Sequence, residues 1–175
     1  MLSIASMSFT FERLEVELFH QDSIDDLFVK NVDIAVSDLP VGYYPIDERT
    51  KGFETRSKEG HSFVHHLLIE QSMKTIRPGG YGVFLVPSNL FQTQEAKKLL
   101  SFFHEKVYLQ AILNLPTKMF KDEQAQKSIL ILQKVGASAK QAEQVLLGEF
   151  PEFNNQEKML DFLQDFKKWA QKNLF

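Results

Sequence analysis

Asp38 is followed by Leu39, Pro40 and Val41, and two tyrosines, Tyr43 and Tyr44, stand just past Gly42. A carboxylate accepts hydrogen bonds through both oxygens. Pro40 fixes its own φ and restricts Leu39 to extended geometry, so the carboxylate rides on a stiff mount. With rings close by, such a group could grip a planar, amine-bearing ligand. Asp22, followed by Ser23 and Ile24, is a second acidic position and a natural helix cap. His61, His65 and His66 fall at helical spacing, but zinc needs a third and usually a fourth ligand. The chain has no cysteine and no His-Glu-x-x-His pattern, so packing at a helix start is the stronger reading. Lys97, Lys98, Lys118, Lys121 and Lys127 are scattered as on a solvated face, with a nucleic-acid groove the weaker reading.

The elements that must hold these residues alternate. Leu2–Phe11 is helical in character, with Leu2, Ala5 and Phe9 at helical spacing. Leu14, Val16 and Leu18 alternate with Glu15 and Glu17, a strand pattern over Leu14–Phe19. A short helix through Leu27 and Phe28 follows, with Asp22 or Ser23 as its cap. Val32–Ser37 is a strand that Pro40 ends. The loop from there to about Gly60 is long enough to suggest function. His61–Ile76 reads as a helix stopped by Arg77-Pro78-Gly79-Gly80. Tyr81–Val86 is apolar almost throughout, as a central strand buried on both faces would be. Thr93 can cap a helix whose apolar face is Ala96, Leu99, Leu100 and Phe103. Val107–Leu115 and Ser128–Gln133 are strands, and Val145–Phe150 is a further one. Asn154 can cap the last helix, with Glu157 at the capping-box position. The stripe Met159, Phe162, Leu163, Phe166, Trp169 and Ala170 reads as packing on the same domain, ahead of a partner-binding face. The alternation implies an α/β fold with a mostly parallel sheet, helices on both faces and an antiparallel strand near the end. Residues 1–135 form the main domain, and 136–175 a C-terminal extension packed on it.

The 175 residues suffice for a single core; 43% are hydrophobic and 25% charged, ordinary for a globular chain. The net charge of −3 gives no global basic field, which argues against strong non-specific nucleic-acid binding. The lack of cysteine fits a reducing cytoplasm and removes any thiol nucleophile. No positively charged segment precedes an apolar core at the N-terminus, and no apolar run could span a bilayer.

Asp38-Leu39-Pro40-Val41 resembles the Asn/Asp/Ser-Pro-Pro-aromatic motif of amino-methyltransferases, chiefly the N6-adenine DNA methylases. Val83–Phe91 resembles the strand-to-loop segment that follows in those enzymes. Leu109–Phe120 and Lys127–Leu132 resemble their terminal strand pair. The modification subunits of type I restriction systems show the same order. The resemblance covers roughly Leu14 to Lys134. It implies a class I, Rossmann-like methyltransferase sheet with S-adenosyl-L-methionine as cofactor. It assigns the target amine to Asp38, the Leu39 carbonyl and Pro40. It assigns the cofactor to Asp22, at its adenine amine, with Ser23, Ile24 and Ser37. It assigns the substrate to Val41, Tyr43 and Tyr44. Here Leu39 replaces the first proline and Val41 the aromatic on which family enzymes stack a flipped base, so Tyr43 or Tyr44 would have to stand in.

Family enzymes seat the cofactor on a glycine-rich turn after their first strand, where close approach needs residues without side chains. No glycine precedes Gly42, so the chain matches the carboxyl-terminal part of such an enzyme, without its first two strands. The expectation is a Val32–Ser37 strand left at a sheet edge and a chain with no useful affinity for the cofactor on its own. A second polypeptide carrying the missing strands is one way to complete it, and truncation is the other. Two function classes follow: part of an adenine-type methyltransferase, with RNA or protein amines as other acceptors, or a non-catalytic interaction module on the same scaffold.

Overall fold

The computed structural model describes residues 2–174. The elements run α1 (Leu2–Phe11), β1 (Val32–Asp38), α2 (Val64–Thr75), β2 (Ile76–Pro87), α3 (Ala96–Lys106), β3 (Val107–Asn114), β4 (Lys127–Lys134), β5 (Leu146–Glu149) and α4 (Gln156–Asn173). The sheet order is β1-β2-β4-β3-β5. β1 pairs parallel with β2, β4 runs antiparallel to both β2 and β3, and β5 is parallel to β3. Four strands therefore point one way and only β4 opposes them. This is the expected mostly parallel α/β sheet, with its antiparallel strand late in the chain.

Alternation along β2 decides the layering. Phe84 and Val86 are buried and join Ile69 and Met73 of α2, Leu99, Phe102 and Phe103 of α3, and Leu130 and Leu132 of β4 in one core. Gly82 lies on this face because a Cβ there would meet the Phe84 ring at 2.5 Å and Met73 Sδ at 2.8 Å. The opposite face is less covered. Val83, Leu85, Ile129 and Ile131 are half-buried there, while Ile34 and Val36 of β1 are 56% and 74% exposed. Val36 pairs with Val83 and Asp38 with Leu85, so Asp38 projects from this open face.

Three expectations change. Leu14–Phe19 forms no strand, and Leu14, Val16 and Leu18 are exposed. Alternation alone does not make a strand, because the backbone needs a neighbouring ladder to bond. No helix forms through Leu27 and Phe28 either. Asp22 instead closes an Asx turn, its Oδ1 accepting from Ile24 N at 3.0 Å, and Gln21 Oε1 accepts from Phe28 N at 3.0 Å. Finally, Arg77–Gly80 does not separate helix from strand: β2 already starts at Ile76, which pairs with Val32. These residues form a bulge before Tyr81 meets Ile34, with Gly79 at φ +80° and Arg77 Nε bonded to Asp33 Oδ1 at 2.6 Å.

Helix caps also differ. Thr93 does not cap α3, and its buried Oγ1 has no hydrogen-bond partner among the described residues. Asn155, one residue beyond the expected cap, accepts from Lys158 N at 3.0 Å and starts α4, which places Glu157 outside a capping box. Among the described residues no helix is long and apolar enough to cross a membrane.

Candidate active site

The carboxyl ends of β1, β2 and β3 and the start of β4 meet at one edge of the sheet, where open α/β sheets bind ligands. Ser88 N donates to Gln126 O and Leu115 N to Lys127 O, both at 3.0 Å, and fasten the strand ends together. Ser88 Oγ lies 2.9 Å from Ser128 Oγ, which donates to Asn114 Oδ1 at 2.7 Å. This is a stiff rim, and Asp38 stands on it.

Leu39 is buried in the main core and its N–H donates to Leu85 O at 3.0 Å. Pro40 and Val41 are exposed, and Ser37 is half-buried, its Oγ 3.4 Å from Asp38 O. The Asp38 carboxylate is therefore anchored from behind and open in front. It also has a partner that the sequence hid: Lys127 Nζ is bonded to Asp38 Oδ1. Lys127 is thus no member of a solvated face. Its side chain is 22% exposed against 62% for that of Asp38. The partners lie 89 residues apart, and only the antiparallel return of β4, which sets Lys127 opposite Pro87, brings them together.

The two tyrosines separate. Tyr43 is 60% exposed and stacks on Phe63, with centroids 4.7 Å apart and planes 18° from parallel. Tyr44 is 7% exposed and donates its hydroxyl to Asp22 Oδ2 at 2.7 Å. Burial and the Asp22 charge raise the Tyr44 pKa. Arg49 donates to the same oxygen at 3.1 Å and reaches Asp25 as well. Burial pulls the Asp22 pKa upward, but the Ile24 N–H, the Tyr44 hydroxyl and Arg49 outweigh it and leave the net shift downward. Ile24 is buried beside Tyr44, Phe53 and Leu67, and Ser23 is exposed. The Asp22 cluster is a tied-down turn, with three of the carboxylate's acceptor positions used internally.

The long loop is ordered by Glu70, which is fully buried on α2. Its carboxylate accepts from Glu54 N at 3.1 Å, from Thr55 N at 2.8 Å and from Thr55 Oγ1 at 2.9 Å, and pairs with Lys74 at 2.6 Å. Beside Phe63, His65 and His66 pack edge to face, 4.7 Å between centroids. Both are buried, and burial lowers their pKa to about 4 and about 3, with the neighbouring His65 adding to the effect on His66. Among the described residues no three His, Cys, Asp or Glu side chains are grouped to hold a metal.

The model of the N-6 DNA methylase family matches residues 10–171. The uncharacterized protein YtxK of Bacillus subtilis is 49% identical over 172 residues, which is 98% of this chain and 52% of YtxK. The crystal structure of a Listeria monocytogenes protein, provisionally assigned as a class I S-adenosylmethionine-dependent methyltransferase, is 40% identical with a TM-score of 0.87. The match covers 96% of this chain and 52% of that one. A type I restriction-modification methyltransferase subunit from Streptococcus thermophilus shares the fold at 13% identity and a TM-score of 0.69, over 96% of this chain and 40% of the other. The chain spans about half the length of YtxK and of the Listeria protein.

Proposed function

The chain belongs to the N-6 DNA methylase family, and we propose that it forms the target-amine half of an S-adenosylmethionine-dependent amino-methyltransferase, with an adenine in DNA as acceptor. One observation carries this: Asp38 ends β1 at the ligand-binding edge, its backbone locked to β2 through Leu39 N and one carboxylate oxygen without a hydrogen-bond partner among the described residues. In this reading the free oxygen accepts one N–H of the target amine and the Leu39 carbonyl the other. Pro40 keeps the two acceptors in fixed relation. Holding both N–H bonds turns the nitrogen lone pair outward, so catalysis is by positioning and electrostatics, with no covalent intermediate. Tyr43 is the exposed ring near enough in sequence to stack a base in place of Val41, since the Tyr44 hydroxyl is committed to Asp22.

The cofactor would supply an electrophilic methyl on a sulfonium. The residues present fit one end of it only. Asp22 keeps one acceptor position beyond its three internal bonds, and Ser23 is exposed beside it. Nothing in the chain offers the glycine turn that would cradle the other end. The remaining contacts belong to a polypeptide carrying the first half of the domain, on the same chain or another, and we place it against the β1 edge. The open apolar face at Ile34 and Val36 supports that placement.

The test uses the whole protein, with that first half present. Asp38→Ala should lower transfer of tritiated methyl to adenine-bearing DNA by about 100-fold or more, the scale for a lost oriented hydrogen-bonding group. Cofactor affinity should stay within about twofold, since Asp38 acts on the reacting amine alone. Turnover equal to the wild type would remove Asp38 from the mechanism. A second reading, a binding module that keeps the scaffold without the chemistry, is favoured by Val41 at the stacking position. It requires that the completed wild-type protein transfer no methyl at all.

A further inference from the structure

We propose that Lys127 makes the Asp38 site selective for a neutral, planar amine and closes it to protonated alkylamines. This deepens the amine-methylating reading and rests on it. Lys127 is the framework partner of the pair. Its backbone is held on both sides, opposite Pro87 in β2 and by the Leu115 N–H at 3.0 Å, and its side chain crosses the open face to Asp38 Oδ1. The carboxylate is the more exposed partner and keeps its second oxygen unbonded among the described residues.

An unpaired aspartate would attract any cation and would favour the protonated form of a bound amine. A protonated amine has no lone pair to give. With Lys127 in place the carboxylate charge is already matched. A second ammonium at the other oxygen would sit a few ångströms from the first, in a position of like-charge repulsion. A neutral aromatic amine brings no charge and still donates its N–H to that oxygen. The same residue thus removes the attraction for lysine-like acceptors and keeps the hydrogen bond that an adenine-like acceptor needs. A sequence with Asp38 alone gives no such preference.

The experiment reads binding at Asp38 without turnover. In the whole protein, the ¹³C signal of the Asp38 carboxyl is followed while adenosine or n-butylammonium is added to wild type, Lys127→Met and Lys127→Arg. Adenosine should move the signal in the wild type and butylammonium should not at equal concentration. Lys127→Met should raise butylammonium affinity at Asp38 by at least about tenfold. Lys127→Arg, which keeps the charge, should behave as the wild type and serves as the folded control. Equal butylammonium affinity in wild type and Lys127→Met, or equal response to both ligands in wild type, overturns the proposal. If Lys127→Met does not fold, Lys127→Gln is read instead by the same criterion. The expected binding pattern without any methyl transfer would overturn the proposed reaction and leave the selectivity standing.

Discussion

The two faces of the sheet are built to different standards. On one, Phe84, Val86, Leu130 and Leu132 disappear under α2 and α3. On the other, apolar residues of the same strands stay half-covered, and at β1 they are open to water. A β-branched run does not become a solvent face by accident, and an exposed apolar edge strand invites pairing. The difference separates what this chain packs for itself from a face that, on the proposed reading, the first half of the domain would cover. Asp38 stands on that boundary, with its mount in the finished half and its carboxylate toward the unfinished one.

The comparison breaks most visibly at Phe84. Phe84→Ala empties the centre of the finished face and should cost about 3–5 kcal/mol in denaturant unfolding. A loss under about 1 kcal/mol would mean that this face is not packed as described.

The buried histidines of α2 probe the packed half of the molecule through pH. His65 and His66 are held below the ordinary pKa of 6.5, at about 4 and about 3. As pH falls, the unfolded chain takes up these protons first. Their contribution is whole above about pH 6.5 and is lost progressively as pH drops toward the folded-state values. At about 1.4 kcal/mol per pH unit and per proton, each histidine should remove about 2 kcal/mol between pH 7 and pH 5. Urea midpoints for the wild type and for His66→Leu across that range would check this, and the variant's pH slope should be about half as steep.

The smallest effect is expected on the unfinished face. Val36→Thr keeps the shape and adds a hydroxyl. In the chain alone it should change stability by less than about 0.5 kcal/mol, as for an exposed site. If the first half of the domain covers β1 as proposed, the same hydroxyl is buried without a partner in the whole protein and should cost about 1–3 kcal/mol. Equal values in the two settings would show that nothing covers this face.

Much of the finished half was legible from local pattern. β1, the body of β2, β3, β4, α2 and α3 follow from apolar periodicity and from Pro and Gly punctuation, because their burial is decided within the chain. Leu14–Phe19 failed where the pattern was present but the hydrogen-bonding neighbour was not. Asp38 was legible as a mounted carboxylate. Its link to Lys127 was not, since register across the intervening strand β2 joins two residues with no local relation. The roles of Tyr43 and Tyr44 were equally closed to sequence: adjacent residues on extended backbone point opposite ways, and only the packed structure shows which one meets Asp22.

Glu70 carries one more consequence, which concerns timing. Its carboxylate is buried because the Glu54 and Thr55 amides and Lys74 surround it. Before the loop arrives, helix α2 cannot seat itself fully without desolvating an under-partnered charge. Before the helix arrives, the two loop amides have nothing inside the protein to bond. Each docks at lower cost with the other in place, because the helix carboxylate and the loop amides satisfy one another. Loop and helix are therefore expected to lose their order together, so that the Thr55 amide and the amides of α2 should exchange with solvent in one step when either element is disturbed.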